Sequence, residues 1–175
     1  MGFLCDQENE PKDHVDNAQA GENDLKLHNL TANDVVVGIS AAGGAAYVIG
    51  GLTYANSIGC VTVGLTSNPG TPLDKIADIS IVCDTGPEVI TGSTRMKAGT
   101  AQKLVLNMLS TCSMIQTGKV YENLMINLRP TNDKLSHRME RIVSDITGVS
   151  ESEAFVLLEQ SEWNIRRAVA LFHDK

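Results

Sequence analysis

The chain has 175 residues, which fits one domain of ordinary size, or one domain with a small appendage. Apolar residues make up 42% and charged residues 20%, as in globular proteins rather than disordered or fibrous ones. No apolar run reaches the roughly 20 residues that span a bilayer, and the net charge of -7 argues against a nucleic-acid surface. We therefore expect neither a membrane nor a nucleic acid among the partners.

The first 24 residues are polar and acidic and carry few large apolar side chains. They show no basic start followed by a hydrophobic stretch, so we expect no secretory signal. The pattern predicts a poorly ordered arm over 1–24, with ordered structure beginning near Leu25.

Short apolar runs rich in β-branched residues come next in the chain and alternate with helical patterns. The runs predict strands over 34–40, 60–65 and 79–83, the first of them buried on both faces, and the patterns between them predict helices over 47–57 and 72–77. This alternation is typical of βαβ units, and it predicts a doubly wound α/β fold with a parallel sheet between helices. Ligands of such folds bind at the carboxyl ends of the strands, here the loops 40–46, 66–70 and 84–95.

The rest of the chain is mostly helical by pattern. Apolar positions recur at helical spacing over 96–117 and predict a long, well-buried helix that ends at Gly118. A short extended segment is predicted over 124–128. The last 45 residues then predict a three-helix unit, with a stop at Gly148 and a capping box from Ser150 to Glu153. We thus expect an α/β domain over 25–130 and a separate helical module over 131–175.

The cysteines give no sign of a framework or a metal site. They form no CxxC pair and have no histidine at metal-ligand spacing. We expect reduced, buried thiols in a cytoplasmic protein, and no disulfide framework. The four are Cys5, Cys60, Cys83 and Cys112.

The densest chemical segment runs from Gly86 to Thr100 and combines a carboxylate, several hydroxyls, an Arg and a Lys just before the long helix. Unpaired N–H groups and the positive end of the helix dipole favour an anion at such a place. The alternative is that the hydroxyls only cap the helix, while Arg95 and Lys97 are solvated. The capping candidates are Thr91, Ser93 and Thr94. On spacing alone both interpretations stay open.

The identities of the residues in this segment are more specific than their spacing. The segment GPEVITGSTRMKAGTAQK, residues 86–103, resembles the signature shared by N-acetylmuramic acid 6-phosphate etherases and the glucokinase regulatory protein. The stretches LVLNMLST (104–111), GKVYENLM (118–125), DVVVGI (34–39) and YVIGG (47–51) look like the etherase branch. The resemblance covers about residues 21–175.

This resemblance implies a sugar isomerase (SIS) type fold, in which a parallel sheet between helices binds phosphosugars, followed by a helical module similar to ubiquitin-associated domains. It implies cleavage of the D-lactyl ether of N-acetylmuramic acid 6-phosphate to N-acetylglucosamine 6-phosphate and D-lactate, in recycling of cell-wall sugars. The implied chemistry is elimination and rehydration by two carboxylates, with no metal and no organic cofactor. It also implies a cytoplasmic homodimer.

Two departures from the family pattern bear on activity. The strand-to-helix loop, typically ASGRTPYV, here reads AAGGAAYV over 41–48, so its side-chain donors are gone and only backbone N–H groups and Ser40 remain. The upstream half of the family is missing, and the two Glu positions of its EGAED-type motif fall on Lys12 and Val15, with Asp16 as the final acid. We therefore predict that this chain alone does not cleave the ether, and that its first strand exposes an apolar edge that favours association.

The sequence leaves three alternative functions open. The chain is a part of an etherase, or a non-catalytic phosphosugar-binding or regulatory module, or, less favoured, a phosphosugar isomerase with Glu88 as the base. Arg95 and Lys97 are expected nearer the ligand than the other cations. The candidate ligand-binding residues are Ser40, Gly43, Gly44, Glu88, Ser93, Thr94, Arg95 and Lys97, with Glu88 the one weak catalytic candidate.

Overall fold

A computed structural model describes residues 15–174 of the chain. The chain divides into two compact units, Met1–Asn107 and Met108–Lys175. None of the helices within the described residues combines the length and apolar character needed to cross a membrane. The elements, in chain order, are α1 (Ala18–Lys26), β1 (Val35–Ile39), α2 (Ala46–Ile58), β2 (Val61–Thr66), α3 (Pro72–Ile76), β3 (Ile79–Val82), α4 (Lys97–Gln116), β4 (Val120–Tyr121), β5 (Leu124–Met125), α5 (Asp133–Thr147), α6 (Glu151–Gln160) and α7 (Ile165–His173).

The first unit is built on a parallel sheet in the order β1-β2-β3, which confirms the predicted α/β class. Gly38 and Gly64 are paired across β1 and β2 and therefore share one face of the sheet. A β-carbon at Gly38 would touch Leu52 of α2, and one at Gly64 would touch Leu73 of α3. Both helices thus pack closely on this face, where Leu52 and Leu73 are fully buried.

The other face of the sheet is only partly covered. Val63 and Leu65 of the central strand are buried, but Val35 of β1 is 61% exposed and Ile79 of β3 is 52% exposed. The expectation that β1 is buried on both faces is therefore wrong. Within residues 15–174, β1 pairs with β2 alone and is the edge strand, and Val37 on it is exposed, which agrees with the prediction of an exposed apolar edge.

Ordered structure begins before Leu25, because α1 already starts at Ala18, capped by the Asn17 side chain. The predicted arm over 1–24 is corrected to this extent, and residues 1–14 lie outside the described part. The apolar periodicity of the sequence did not predict α1, because this helix packs through small residues. Gly21 abuts the Tyr47 carbonyl and Gly50 abuts the Ala18 carbonyl so closely that neither position has room for a β-carbon.

The long helix α4 has the predicted bounds but not the predicted burial. Only Ala98 and Val105 are buried along its 20 residues, whereas Leu104 and Met108 are more than half exposed. The expectation of a well-buried helix is wrong. Helical periodicity establishes that apolar residues share a face of α4, but it does not provide the element that covers that face.

The second unit ends in three helices with their own core, as predicted. Residues 133–173 contain only helices and their connections, Gly148 ends α5 at φ 77°, and Ser150 and Glu153 form the capping box. The two compact units meet between Asn107 and Met108, so the segment before α5 belongs to the second unit, and the domain boundary at 130 stays a prediction. Strands β4 and β5 form an antiparallel hairpin, and residues 124, 126 and 128 pack against the helical core. That core comprises Met139, Ile142, Val143, Ala154, Leu157, Leu158, Ile165 and Ala168.

Candidate functional site

The loops that follow β1, β2 and β3 lie at the same end of the sheet, where the carboxyl ends of the three parallel strands meet. The first two loops are bonded together through the Ala41 carbonyl. It accepts hydrogen bonds from the Ser67 N–H at 3.0 Å, the Asn68 side-chain amide at 3.0 Å and the Thr66 hydroxyl at 3.2 Å. The Thr66 carbonyl in turn accepts the Cys83 N–H at 2.8 Å, which ties in the start of the third loop.

The β1–α2 loop, residues 40–45, contains three of the predicted ligand-binding residues. The Ser40 hydroxyl accepts the Gly43 N–H at 3.1 Å, which leaves the hydroxyl proton free of any acceptor within the described residues. Gly43 has φ 72°, and a β-carbon there would overlap the Thr71 side chain. Gly44 is exposed, with open space where a side chain would start. The backbone at Gly44 is therefore accessible to a ligand.

No side chain of the described residues caps the start of α2, where Ala45 is the N-cap residue. The first N–H groups of a helix have no partners within it and carry the positive end of its dipole. Other helices of this chain fill that position with a side-chain oxygen, from Asn17, Thr71, Asn132, Ser150 or Asn164. The start of α2 is thus suited to an external anion.

The segment before α1 contacts the start of α2. The Val15 carbonyl accepts the Tyr47 N–H of the first turn of α2 at 3.1 Å. The position that aligns with a family acid therefore lies beside the β1–α2 loop, and here it carries an apolar side chain. The other aligned position, Lys12, lies outside the described residues.

Glu88 of the β3–α4 loop, residues 83–96, acts as the cap of α4. Its two carboxylate oxygens accept the N–H groups of Lys97 and Ala98, each at 3.0 Å. The Ala98 N–H and then the Lys97 N–H, with a smaller contribution from the Lys97 charge, lower the pKa of Glu88 below its ordinary value. Both oxygens accept N–H groups of the helix, so Glu88, rather than the hydroxyls suggested from the sequence, provides the side-chain cap of α4.

The remaining predicted residues lie on the surface of the same loop and the start of α4. The Arg95 Nε donates to the Ser93 hydroxyl at 3.0 Å, and the Thr94 carbonyl accepts the Gly99 N–H at 2.9 Å. Arg95 and Lys97 are exposed. Both therefore follow the carboxyl end of β3 and are accessible, and their nearness to a bound ligand stays a prediction.

Sequence reasoning identified the β2–α3 loop, residues 67–71, but gave its side chains no role. Thr71 caps α3 and fills the space beside Gly43, while Asn68 braces Ala41. Ser67 is 8% exposed, and its hydroxyl has no hydrogen-bond partner among residues 15–174. The sequence signal was the polar run TSNPGT, which is typical of a turn and does not distinguish bracing residues from ligand-binding ones.

Two open grooves are lined by residues of the second unit alone. One, of about 370 Å³, is lined mainly by residues of α6 and α7, and the other, of about 460 Å³, follows the second half of α4. Within residues 15–174 no three His, Cys, Asp or Glu side chains are grouped as a metal site. Cys60 is buried as predicted, but Cys83 is half-buried and Cys112 is exposed, so the expectation of buried thiols is wrong for the exposed one.

Comparison with known proteins agrees with this arrangement. The sequence model of the SIS domain matches residues 13–112, and that of a UBA-like domain matches residues 144–175. The chain is 51% identical over 156 residues to an N-acetylmuramic acid 6-phosphate etherase of Cronobacter sakazakii, covering 89% of this chain and 52% of that protein. It is 52% identical over 158 residues to one from Alkaliphilus metalliredigens, covering 90% and 52%. It is 53% identical over 151 residues to one from Clostridium botulinum, covering 86% and 50%. The chain thus spans about half the length of the curated relatives it matches.

Proposed function

The chain belongs to the SIS domain family, and from that membership we propose that it binds a phosphorylated amino sugar. The site that we propose lies among the three loops at the carboxyl ends of β1, β2 and β3. The ligand class follows from the relatives, which are named for N-acetylmuramic acid 6-phosphate. The observation that supports the site most directly is the start of α2, which no side chain of the described residues caps and where the Val15 carbonyl takes up only the Tyr47 N–H, beside the open backbone of Gly44. Backbone N–H groups at a helix start are a recurrent phosphate site.

We further propose that the chain is part of an etherase that releases D-lactate, and that this part alone does not catalyse the reaction. Elimination needs one group to remove a proton and another to protonate the leaving oxygen, each worth about 10²- to 10⁴-fold. Val15 occupies one aligned Glu position and Lys12 the other, and only the final acid of the motif is kept, as Asp16. The loop over 41–46 adds no hydroxyl or guanidinium in their place.

A non-catalytic phosphosugar-binding module is the second candidate, and the β1–α2 loop favours it. That loop keeps an anion site made of backbone and has no side chain beyond Ser40 that takes part in proton transfer. The isomerase alternative is weaker, because a general base works best with a pKa near the working pH. Glu88 has both oxygens bonded and a lowered pKa.

The site is tested with a pair of variants at Gly44, which has room for a side chain and no positive φ. Gly44→Asp places a carboxylate beside the bound phosphate, whereas Gly44→Asn places a neutral group of the same shape there. Two like charges about 4 Å apart repel by about 1 to 4 kcal/mol at the surface of a protein. Binding of N-acetylmuramic acid 6-phosphate and of N-acetylglucosamine 6-phosphate is measured by isothermal titration calorimetry.

We expect Gly44→Asp to weaken binding of both sugars by at least about tenfold, and Gly44→Asn to weaken it far less. Equal binding by the two variants would exclude phosphate binding at the start of α2. Absence of sugar binding by the unmodified chain would count against the phosphosugar function itself.

We also propose a cellular location and an assembly for the protein. We place the protein in the cytoplasm, where phosphorylated sugars are handled, and we propose that it associates with itself. Both follow from the family resemblance, and the fully buried Cys60 thiol is compatible with a reducing compartment.

A further inference from the structure

The three loops at the carboxyl ends of β1, β2 and β3 contain a single cationic side chain, that of Arg95. These loops are residues 40–45, 67–71 and 83–96. Lys97 follows Arg95 two residues later, in the first turn of α4. Both side chains are exposed. Positive charge at this end of the sheet is therefore concentrated after β3, whereas the start of α2 offers only backbone groups.

The guanidinium of Arg95 keeps most of its hydrogen-bond donors available. Its Nε donates to the Ser93 hydroxyl at 3.0 Å, which orients the group. Within residues 15–174 its two terminal nitrogens have neither a hydrogen-bond acceptor nor a carboxylate partner. A planar fork of N–H donors matches the two oxygens of a carboxylate, and bidentate pairs of this kind are among the strong hydrogen bonds of proteins.

The Lys97 ammonium lies near the start of the same loop. A β-carbon at Gly86 would be 3.9 Å from the Lys97 Nζ. The carboxylate oxygens of Glu88 accept the backbone N–H groups of Lys97 and Ala98. Lys97 forms no ion pair with any carboxylate of the described residues. Its charge is thus available beside Arg95 to an anion that enters from solvent.

The width of the sheet end fits a ligand with two anionic groups. β1 and β3 lie on either side of β2, and adjacent strands are about 4.8 Å apart, so the loops after β1 and β3 begin about 10 Å apart. N-acetylmuramic acid 6-phosphate carries a phosphate on carbon 6 and a lactyl carboxylate on the oxygen of carbon 3. A chain of about eight covalent bonds joins these two anions and spans about 9 Å when extended. One such molecule can therefore contact both loops.

We propose that Arg95, together with Lys97, binds the lactyl carboxylate and so distinguishes N-acetylmuramic acid 6-phosphate from N-acetylglucosamine 6-phosphate, which lacks this group. The inference rests on the proposed function and deepens it by giving each anion of the ligand its own place. Backbone N–H groups at the start of α2 suit the tetrahedral phosphate, and the planar guanidinium suits the planar carboxylate. The exposed position of Arg95 leaves the lactyl group next to solvent.

The test uses the whole 175-residue chain and measures binding of both sugars by isothermal titration calorimetry. The control for Arg95→Gln is Lys103→Gln, which removes one positive charge at an exposed position further along α4. We expect Arg95→Gln to weaken binding of N-acetylmuramic acid 6-phosphate at least about tenfold and to leave binding of N-acetylglucosamine 6-phosphate unchanged. Lys97→Gln is a second variant that should weaken binding of the same sugar alone. Lys103→Gln should not change the ratio of the two affinities.

The sugar without the lactyl group also reports on folding, because a variant that binds it normally is folded at the site. Equal weakening of both sugars by Arg95→Gln and Lys97→Gln would place the two cations at the phosphate and overturn the proposal, as would unchanged binding of both sugars. If the unmodified chain binds neither sugar, the proposed function fails together with this inference. If it binds both and these variants do not change their ratio, only this inference fails.

A combination with Gly44→Asp tests whether the two anions bind at separate places. Gly44→Asp is expected to weaken both sugars, because both carry the phosphate. Changes that act on separate groups add in free energy, so the fold-changes of Gly44→Asp and Arg95→Gln should multiply for N-acetylmuramic acid 6-phosphate. A double variant that binds this sugar no more weakly than Gly44→Asp alone would show that both positions act on one anion, and would overturn the assignment.

Discussion

The neighbouring glycines of the β1–α2 loop provide a matched pair for testing how that loop is held. Gly43 has φ 72°, and a β-carbon there would overlap the Thr71 side chain, whereas Gly44 faces open space. The Gly43 carbonyl also accepts the Leu73 N–H at 3.1 Å, so movement of Gly43 would disturb the start of α3. The same substitution by alanine should therefore have opposite consequences at the two positions.

The magnitudes follow from two costs at Gly43 and from neither at Gly44. A left-handed backbone costs a residue with a β-carbon about 1–2 kcal/mol, and an overpacked methyl group costs about 1–3 kcal/mol. We expect Gly43→Ala to lower the free energy of unfolding by about 2–5 kcal/mol. We expect Gly44→Ala to leave that free energy unchanged or raise it by up to about 1 kcal/mol, because alanine reduces the entropy of the unfolded chain.

Urea unfolding followed by far-ultraviolet circular dichroism measures both variants. Combining Gly43→Ala with Thr71→Gly separates the two costs, because removal of the Thr71 side chain relieves the overlap and leaves the backbone strain. We expect a favourable coupling of about 1 kcal/mol or more between the two sites, although Thr71→Gly alone destabilises the cap of α3. Equal destabilisation by Gly43→Ala and Gly44→Ala would refute the described conformation of the loop.

Three further predictions concern the caps and the activity. The folded-state pKa of Glu88 lies below its ordinary value of 4.5, so its stabilising effect is complete above that pH and is lost as the pH falls through the lower folded value. Glu88→Gln should accordingly lower the thermal midpoint at pH 7 and flatten its acid decline, and an unchanged acid decline would contradict the capping geometry. Ser150→Ala removes the capping box of α6 and should cost about 1 kcal/mol in urea unfolding, against less than about 0.5 kcal/mol for Ser113→Ala as the control, since Ser113 is exposed and its hydroxyl bonds only to its own helix. Incubation of the chain with N-acetylmuramic acid 6-phosphate should release no D-lactate above background, with a full-length relative as the positive control, and release within a few-fold of that control would place catalytic carboxylates within these residues.

The sequence predicted the elements well because each has a local signal. The β-branched runs became β1, β2 and β3, and the left-handed Gly148 ended α5 where glycine was expected. The helix α1 had no such signal, since its packing rests on Gly21 and on the lack of a side chain at Gly50. Close packing through glycines leaves no apolar stripe in the sequence.

Burial was harder to predict than element type, because it depends on what lies opposite. The runs in β1 and α4 have the composition of covered elements, yet Val35 and Met108 are exposed. The same holds for the site. Residue types and the family signature identified the loops, but only the structure showed Glu88 bonded to the start of α4 and Thr71 filling the space beside Gly43.

The substitution of side-chain donors by Ala and Gly over 41–46 has a consequence for selectivity under the proposed function. Each lost hydrogen bond to a charged oxygen removes about 1.5–3 kcal/mol of binding free energy, and what remains is a set of backbone N–H groups with a helix dipole. Such groups recognise negative charge and do not distinguish one sugar from another. Discrimination between phosphosugars must then come from side chains near the other loops, where Arg95 and Lys97 are exposed and the buried Ser67 hydroxyl lacks a partner. In a site of this composition the phosphate provides most of the affinity, and the side chains of the other loops provide the selectivity for the sugar.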